Sequence, residues 1–134
     1  MAKFHFEADI DLWLIRSKKV AVLGYGNQGR AHSLLLRDAG ADVVVGAREG
    51  GDGWTRAKAD KFKPVSLGEA TSRADVVMMA LPDEAMGDIY AASVEPHIAP
   101  GKTLMVCHGF SFHFGMIAPP AGVDVCMAAP KGSG

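Results

Sequence analysis

A glycine-rich turn lies between an apolar run and a segment that can form a helix, near the start of the chain. Residues 20–23 are apolar, Gly24, Gly26 and Gly29 follow with Gly-x-Gly-x-x-Gly spacing, and residues 30–39 are compatible with a helix. A dinucleotide-binding fold requires this order of strand, turn and helix. The first glycine permits a tight turn, the second lets the backbone approach a pyrophosphate, and the third lets the helix pack against the strand. Unpaired N–H groups at the start of the helix then face the phosphates.

The surroundings of this turn strengthen the interpretation. A second, mostly apolar run covers residues 42–45, and Arg48 lies past its end, where the adenosine ribose of a dinucleotide should fall. The sequence therefore predicts a domain that binds a nicotinamide cofactor. A structural turn that binds no phosphate is the alternative.

Apolar runs and helical segments alternate along most of the chain. The predicted strands are residues 20–23, 43–45, 76–81, 104–107 and 123–128, with a weak strand at 64–66. The predicted helices are residues 28–39, 54–61, 67–72 with Ser66 as N-cap, and 83–93, opened by Pro82 or Asp83. Continuous apolar strands are typical of parallel sheets that are buried on both faces. We therefore predict an α/β fold, a Rossmann-like, doubly wound and mostly parallel sheet with helices on both faces.

Conspicuous polar residues follow the predicted strands directly. Besides the glycine-rich turn they are Arg48, Pro82-Asp83-Glu84, His108 and Lys131. In an open parallel sheet these strand ends line one crevice, where ligands bind. Each residue alone also has a structural explanation, since Asp83 can cap a helix, His108 can bond a backbone carbonyl, and Lys131 can be solvated. Together they favour a binding site.

Composition limits the partners of the protein. The formal net charge is -1 over 134 residues, so we expect neither nucleic acid nor a membrane surface as a partner. No apolar stretch reaches membrane-spanning length and no secretory signal is recognisable, so we expect a cytoplasmic protein. Cys107 and Cys126 lie in apolar runs without metal-ligand spacing, and we expect buried thiols there. The length predicts a single domain over residues 1–134.

Several motifs together resemble one enzyme family. They are residues 18–29, 36–40, 46–50, 74–77 and 81–84, the Cys-His-Gly-Phe at 107–110 and the Ala-Pro-Lys-Gly at 129–132. On these motifs the chain resembles ketol-acid reductoisomerase, also called acetohydroxyacid isomeroreductase. The resemblance implies an NADP-dependent oxidoreductase and isomerase of valine and isoleucine biosynthesis. Such an enzyme converts 2-acetolactate or 2-aceto-2-hydroxybutyrate to a 2,3-dihydroxy acid by Mg²⁺-dependent alkyl migration and hydride reduction.

The resemblance also implies roles for single residues. It places the cofactor on Gly24, Tyr25, Gly26, Asn27, Gln28, Gly29, Arg48, Gly51, Gly53, Asp83, Glu84, Ala85, Met86 and Gly134. Within that set, Arg48 meets the adenosine 2′-phosphate and Gly134 closes the nicotinamide end. His108 matches the active-site histidine of the family, and Lys131 matches a lysine near the substrate and metals. We expect His108 to orient the substrate rather than to transfer a proton.

The chain departs from the family in one large respect, the helical C-terminal domain. In the family, that domain supplies the carboxylates that bind magnesium and much of the substrate pocket, and no Asp–Glu cluster in this sequence replaces it. We therefore predict no metal ligands in this chain, and cofactor binding without full turnover. The resemblance also implies that the nucleotide domain of the family continues beyond these residues, so we expect another chain or contact to cover the far edge of the sheet. The alternatives are a non-catalytic nucleotide-binding or assembly module and another NAD(P)-dependent reductase of the same fold.

The choice between NADP and NAD depends on the residues after the second strand. Gly51 and Gly53 lack the hydroxyls that the family often has at these positions, and Glu49 and Asp52 add negative charge. Arg48 argues for the 2′-phosphate of NADP through its planar donor fork, whereas an acidic group that binds a 2′-hydroxyl favours NAD. The resemblance favours NADP, with NAD as the alternative.

Two further features keep two interpretations each. Arg30, on the first turn of the phosphate-facing helix, stands where the family typically has histidine, and it either adds a cationic contact or points to water. The apolar residues at 110, 112, 114, 116 and 117 fit either an interface with another polypeptide or packing in the core.

Overall fold

Five parallel strands form the centre of the computed structural model, which describes residues 1–129. The strands are β1 (Lys19–Leu23), β2 (Asp42–Gly46), β3 (Val76–Met79), β4 (Thr103–Val106) and β5 (Asp124–Met127). They lie in the order β2-β1-β3-β4-β5, and every neighbouring pair is parallel. The strand order reverses at β1, and in such sheets ligands bind in the crevice at this reversal. The predicted parallel α/β sheet is confirmed.

Helices connect the strands and cover both faces of the sheet. They are α1 (Trp13–Arg16), α2 (Asn27–Asp38), α3 (Asp52–Ala59), α4 (Leu67–Arg73), α5 (Asp83–Ile89) and α6 (Phe110–His113), besides a short 3₁₀ turn at Glu7–Asp9. A π-helical turn at Tyr90–Val94 extends α5. Ser66 caps α4 as predicted, since its hydroxyl accepts the backbone N–H of Glu69 at 3.2 Å.

Side chains alternate between the two faces of the sheet and build a separate core on each. The first core joins strand residues to α4, α5 and the π-helical turn, and it includes Leu23, Met79, Leu104, Ala70, Met86 and Tyr90. The second core joins the opposite strand face to α1 and α2, and it includes Val20, Val22, Met78, Ile15 and Leu36. A smaller cluster, formed by Tyr25, Val45 and Ala57, attaches α3. The sheet is therefore doubly wound, as predicted.

Two predicted strands are shorter in the structure. β3 ends at Met79 rather than at residue 81, and Pro82, which has no N–H to donate, precedes α5 as its N-cap. The weak strand predicted at 64–66 is a single bridge between Gly46 and Val65.

Two predicted helices also differ at their ends. The helix predicted at 54–61 covers Asp52–Ala59, because Gly51 is extended and serves as its N-cap. The helix predicted at 83–93 is α-helical only as far as Ile89, where the π-helical turn begins. The helix predicted at 28–39 is found at Asn27–Asp38, which is within one residue at each end.

The edge strand β5 is more exposed than predicted, since the sequence predicted strands that are buried on both faces. Val125 and Met127 are 48% and 59% exposed, although their partners Leu104 and Val106 on β4 are fully buried. That prediction is wrong for β5, because it is the edge strand and within residues 1–129 only β4 packs extensively against it.

The apolar residues after β4 form a short helix and turn. Ile117 is buried and Phe112 packs beside it against the first core, whereas Phe110, Phe114 and Met116 are exposed. The predicted core packing is therefore found for Phe112 and Ile117. The exposed side chains on the other side of the segment leave the predicted interface as an open alternative.

Candidate dinucleotide-binding site

A cavity of about 490 Å³ opens where β1, β3 and β4 end, and we call it the main cleft. Its walls are formed by Gly24, Tyr25, Gly26, Asn27, Gln28, Gly53, Arg56, Met79, Ala80, Leu81, Pro82, Met86, Cys107 and His108. The carboxyl ends of β1, β3 and β4 deliver most of these residues to one edge of the sheet, and α3 adds Gly53 and Arg56. Residues predicted from four separate stretches of sequence therefore meet in one place.

The glycine-rich loop is closed to side chains at its two ends and open in the middle. Gly24 has φ +94°, and a Cβ there would lie 2.4 Å from the carbonyl oxygen of Ala80. A Cβ on Gly29 would lie 2.2 Å from the carbonyl oxygen of Gly24. A Cβ on Gly26, the N-cap of α2, would meet nothing within 4 Å. The loop thus packs tightly against the sheet and leaves its centre open at the start of α2, the end of a helix that favours negatively charged groups.

The Tyr25 side chain is buried in the small cluster that attaches α3 to the sheet. Its hydroxyl donates to Oδ2 of Asp60 at 2.9 Å, and its ring packs edge-on against Phe62 at 5.9 Å between centroids. Burial and the neighbouring Asp60 carboxylate raise the pKa of Tyr25 to about 12. Tyr25 therefore forms part of the cleft wall, with its hydroxyl committed to Asp60.

Arg30 also binds Asp60, which answers one question left by the sequence. Its Nε lies 2.7 Å from Oδ2 and its Nη2 lies 3.1 Å from Oδ1, a two-point ion pair. Arg37 donates to the backbone oxygen of Asp60 at 2.6 Å and lies over the Phe62 ring at 4.5 Å. The hydrogen bond from Arg30 is the main cause that lowers the pKa of Asp60. These contacts fasten α2 to the end of α3.

Arg56 is a site residue that the sequence alone did not reveal. Within residues 1–129 it is the only lysine or arginine that lines the main cleft. It lies three residues after Gly53 on α3, which places both on one side of that helix. The three-residue spacing from Gly53 is the sequence signal that could have indicated Arg56. It can be used only when α3 is known to lie beside the glycine loop. A guanidinium at this position can neutralise a phosphate group.

Arg48 and Gly51, both predicted for the adenosine phosphate, do not line the main cleft. Arg48 lines a separate cavity of about 520 Å³, together with Glu49, Leu67, Ile89 and His97. The backbone N–H of Gly51 donates to the backbone oxygen of Arg48 at 3.0 Å, which closes the turn after β2. Gly53, in contrast, lies in the main cleft.

The start of α5 contributes to the cleft unequally. Of the four residues predicted there, Met86 lines the main cleft, Glu84 is exposed, and Asp83 and Ala85 are half-buried. Oδ1 of Asp83 lies 2.9 Å from Nε2 of His108. One residue predicted to bind cofactor and one predicted to be catalytic are therefore in direct contact.

The remaining predicted residues lie beside or beyond this region. Cys107 lines the main cleft next to His108, and burial raises the pKa of its thiol. Lys131 and Gly134 lie outside the described residues. Residues 1–129 contain no group of three or more His, Cys, Asp or Glu side chains that could hold a metal ion. In the same part of the chain, no helix has the length and apolar character to cross a membrane.

The doubly wound parallel sheet, the closed glycine loop and the open start of α2 define a class of protein. The chain is a dinucleotide-binding domain of the Rossmann type.

Comparison with known proteins gives the particular family. The chain belongs to the acetohydroxy acid isomeroreductase family, since the sequence model of that family's NADPH-binding domain matches residues 14–134. The ketol-acid reductoisomerase (NADP(+)) of Campylobacter hominis is 51% identical over 130 residues, which are 97% of this chain and 38% of that protein. The resemblance drawn from the sequence motifs is confirmed.

Solved structures agree with this assignment. An NADH-preferring ketol-acid reductoisomerase from an uncultured archean superimposes with a TM-score of 0.89 and 41% identity, covering 94% of this chain and 40% of that one. A putative oxidoreductase of Jannaschia sp. shares the fold, with a TM-score of 0.71 and 22% identity over 82% of this chain and 40% of that one. This chain thus spans 38% and 40% of the two reductoisomerases compared.

Proposed function

We propose that this chain, over residues 1–134, is the cofactor domain of a ketol-acid reductoisomerase and holds NADPH in the main cleft. The glycine-rich loop carries the proposal. Gly24 and Gly29 leave no room for a side chain, whereas the centre of the loop at Gly26 is open. A backbone that close to the cleft can bind a diphosphate through its N–H groups, which a bulkier loop would keep away.

In this proposal, two arginines bind different phosphate groups of the cofactor. Arg56 lies in the main cleft beside the glycine loop, so we assign it to the pyrophosphate. Arg48 lies beyond the end of β2 in the separate cavity, and we assign it to the adenosine 2′-phosphate. Gly51, Gly53 and the start of α5 complete the contacts that the family resemblance implies.

The opposite end of the cleft would receive the nicotinamide ring. Cys107 and His108 line it, and Leu81 and Met86 add apolar surface that excludes water. The cofactor supplies a hydride to a keto acid when it is bound. His108 orients the substrate carbonyl, and Lys131 and Gly134 remain candidates for contacts near substrate and nicotinamide.

The complete reaction is proposed for a longer reductoisomerase that contains this domain. Its substrate is 2-acetolactate or 2-aceto-2-hydroxybutyrate, which is rearranged and reduced to a 2,3-dihydroxy acid. Because residues 1–129 offer no cluster of metal ligands, the magnesium chemistry is not assigned to any of them. The exposed side chains of Val125 and Met127 favour cover of β5 by further polypeptide, from a partner domain or a second copy. The free thiols of Cys107 and Cys126 accord with a reducing, cytoplasmic location.

A titration with NADPH and NADH, followed by nicotinamide fluorescence, tests the cofactor assignment. We expect saturable binding of NADPH and weaker binding of NADH, because Arg48 gains a partner only in the 2′-phosphate. Asp52 lies at the start of α3 near Arg56 and opposes this preference. Binding of NADH in preference to NADPH would contradict the role of Arg48, and binding of neither at millimolar concentration would contradict the proposal.

A second assay tests the division of work between this domain and the rest of the enzyme. The chain is incubated with acetolactate, magnesium and NADPH, and the oxidation of NADPH is followed. We expect cofactor binding without turnover. Robust turnover would show that residues 1–134 need no further domain.

A further inference from the structure

The contact between Asp83 and His108 follows from the strand order of the sheet. β3 and β4 are parallel neighbours whose last residues, Met79 and Val106, are paired. The segments that follow them therefore leave the sheet side by side. One carries Asp83 at the start of α5, and the other carries His108 directly after the strand. Although 25 residues apart in sequence, Oδ1 of Asp83 and Nε2 of His108 lie 2.9 Å apart.

The environment of the Asp83 oxygen indicates what this contact does. Oδ1 is shielded from water, and no backbone N–H or hydroxyl of the described residues donates to it. A shielded carboxylate oxygen without a donor is costly. Nε2 of His108 lies 2.9 Å from this oxygen, so an N–H on Nε2 is within reach of it.

Helix capping alone does not explain the carboxylate. Pro82 is the N-cap of α5, and no side-chain capping hydrogen bond is formed there. A negative charge in the first turn of a helix is favourable. That effect also applies to Glu84, which is exposed and makes no contact with the imidazole. The contact with His108 is specific to Asp83.

We propose that Asp83 is a positioning residue for His108, whose imidazole it holds as the Nε2–H tautomer with Nδ1 left free for the substrate. This role rests on the proposed function, because that function places the nicotinamide and the substrate at the His108 end of the main cleft. A histidine orients substrate reproducibly only when its ring and tautomer are fixed by a second group. The other ring nitrogen then has a defined role.

Nuclear magnetic resonance of the imidazole nitrogens tests this directly. In the ¹⁵N-labelled chain at a pH where histidine is neutral, long-range ¹H–¹⁵N spectra show which ring nitrogen carries the proton. We expect the Nε2–H form for His108. In Asp83→Asn, the amide can donate to Nε2, so we expect the proton to move to Nδ1 in most molecules. An asparagine in place of an imidazole-orienting aspartate gives the wrong tautomer in the serine protease triad.

Matched variants distinguish an effect of the Asp83 carboxylate on the His108 imidazole from a general effect of removing a charge from α5. Asp88→Asn removes an exposed carboxylate from the same helix, and we expect it to leave the His108 signals unchanged. Asp83→Glu keeps a carboxylate, and we expect it to retain the Nε2–H form. An Nδ1–H form in the unmodified chain, or the same tautomer in the unmodified chain and in Asp83→Asn, would overturn the proposal. The spectrum of the unmodified chain tests the tautomer even where a variant fails to fold.

The same samples distinguish this inference from the proposed function. Titration of the unmodified chain with NADPH reports whether the cofactor binds, independently of the His108 tautomer. Failure to bind NADPH contradicts the proposed function. An Nδ1–H tautomer together with normal NADPH binding contradicts only the role of Asp83.

Discussion

The two ends of the main cleft are built in different ways. At the β1–α2 end the surface is mostly backbone, and its shape depends on the absence of side chains at Gly24 and Gly29. At the β3–β4 end the surface consists of side chains, with His108 held against Asp83. The backbone end suits a group that all dinucleotides share, whereas the side-chain end can select a substrate. Variants at the two ends should therefore fail differently.

The largest effect is expected at Gly29. In Gly29→Ala the new Cβ would lie 2.2 Å from a backbone oxygen, so the loop and α2 must move apart. We expect the free energy of unfolding to fall by about 3 kcal/mol, and NADPH binding to be lost. Thermal and urea denaturation measure the first effect, and fluorescence titration the second.

Gly26→Ala is the matched control in the same loop. Its Cβ meets no atom within 4 Å, so we expect a stability close to that of the unmodified chain together with weaker NADPH binding. Equal destabilisation by both alanines would show that the loop is not packed as described.

Arg56→Ala should weaken the binding of NADPH and NADH by about tenfold each, which corresponds to about 1.4 kcal/mol. The pyrophosphate assigned to Arg56 is present in both cofactors. Arg48→Ala should weaken only NADPH, because only that cofactor has a 2′-phosphate. Parallel titrations of both variants with both cofactors check this pair, and the reverse pattern would exchange the two assignments.

Tyr25→Phe should lower the free energy of unfolding by about 1 kcal/mol. The change removes the hydroxyl that donates to Asp60 at 2.9 Å and leaves the ring contact with Phe62 in place. Chemical denaturation measures the loss. An unchanged midpoint would mean that water replaces the hydrogen bond to Asp60 without cost.

The ion pair of Asp60 should make stability depend on pH in acid. Arg30 lowers the pKa of Asp60 in the folded protein below the ordinary 3.8, so the carboxylate contributes stability above that value. This contribution is lost as the pH falls through the lowered pKa. Denaturation midpoints measured from neutral pH into acid should fall more for the unmodified chain than for Asp60→Asn. If the midpoints of the two proteins fell equally with pH, the Arg30–Asp60 ion pair would not be a source of stability.

Lys61→Gly should give the smallest effect, a gain in stability of up to about 1 kcal/mol. Lys61 has φ +69°, a left-handed conformation that glycine adopts without strain. Thermal denaturation measures the gain, with Lys58→Gly inside α3 as the control that should lose stability. A loss in Lys61→Gly would show that the side chain of Lys61 contributes contacts of its own.

The backbone end of the cleft could be predicted from sequence because its signals are local. The glycine spacing, the flanking apolar run and the cap at Ser66 each lie within a few residues. These signals predicted the sheet, its helices and the position of the loop. The exposure of β5 was missed, because an apolar run shows that a strand can be buried but not whether another element covers it.

The side-chain contacts were harder to predict because they join distant residues. The contact of Asp83 with His108 depends on which strands are neighbours, and the Arg30–Asp60 pair bridges 30 residues between two helices. Arg56 became visible only once α3 was known to flank the loop. A single sequence contains no local pattern for such contacts.

Backbone amide shifts during a titration with NADPH test the central claim most directly, namely that the glycine loop binds the dinucleotide through its backbone amides. We expect large ¹H–¹⁵N shift changes at residues 24–29 and smaller ones at Arg56 and His108, with little change in β5. Saturable binding that leaves the amides of residues 24–29 unmoved would contradict it.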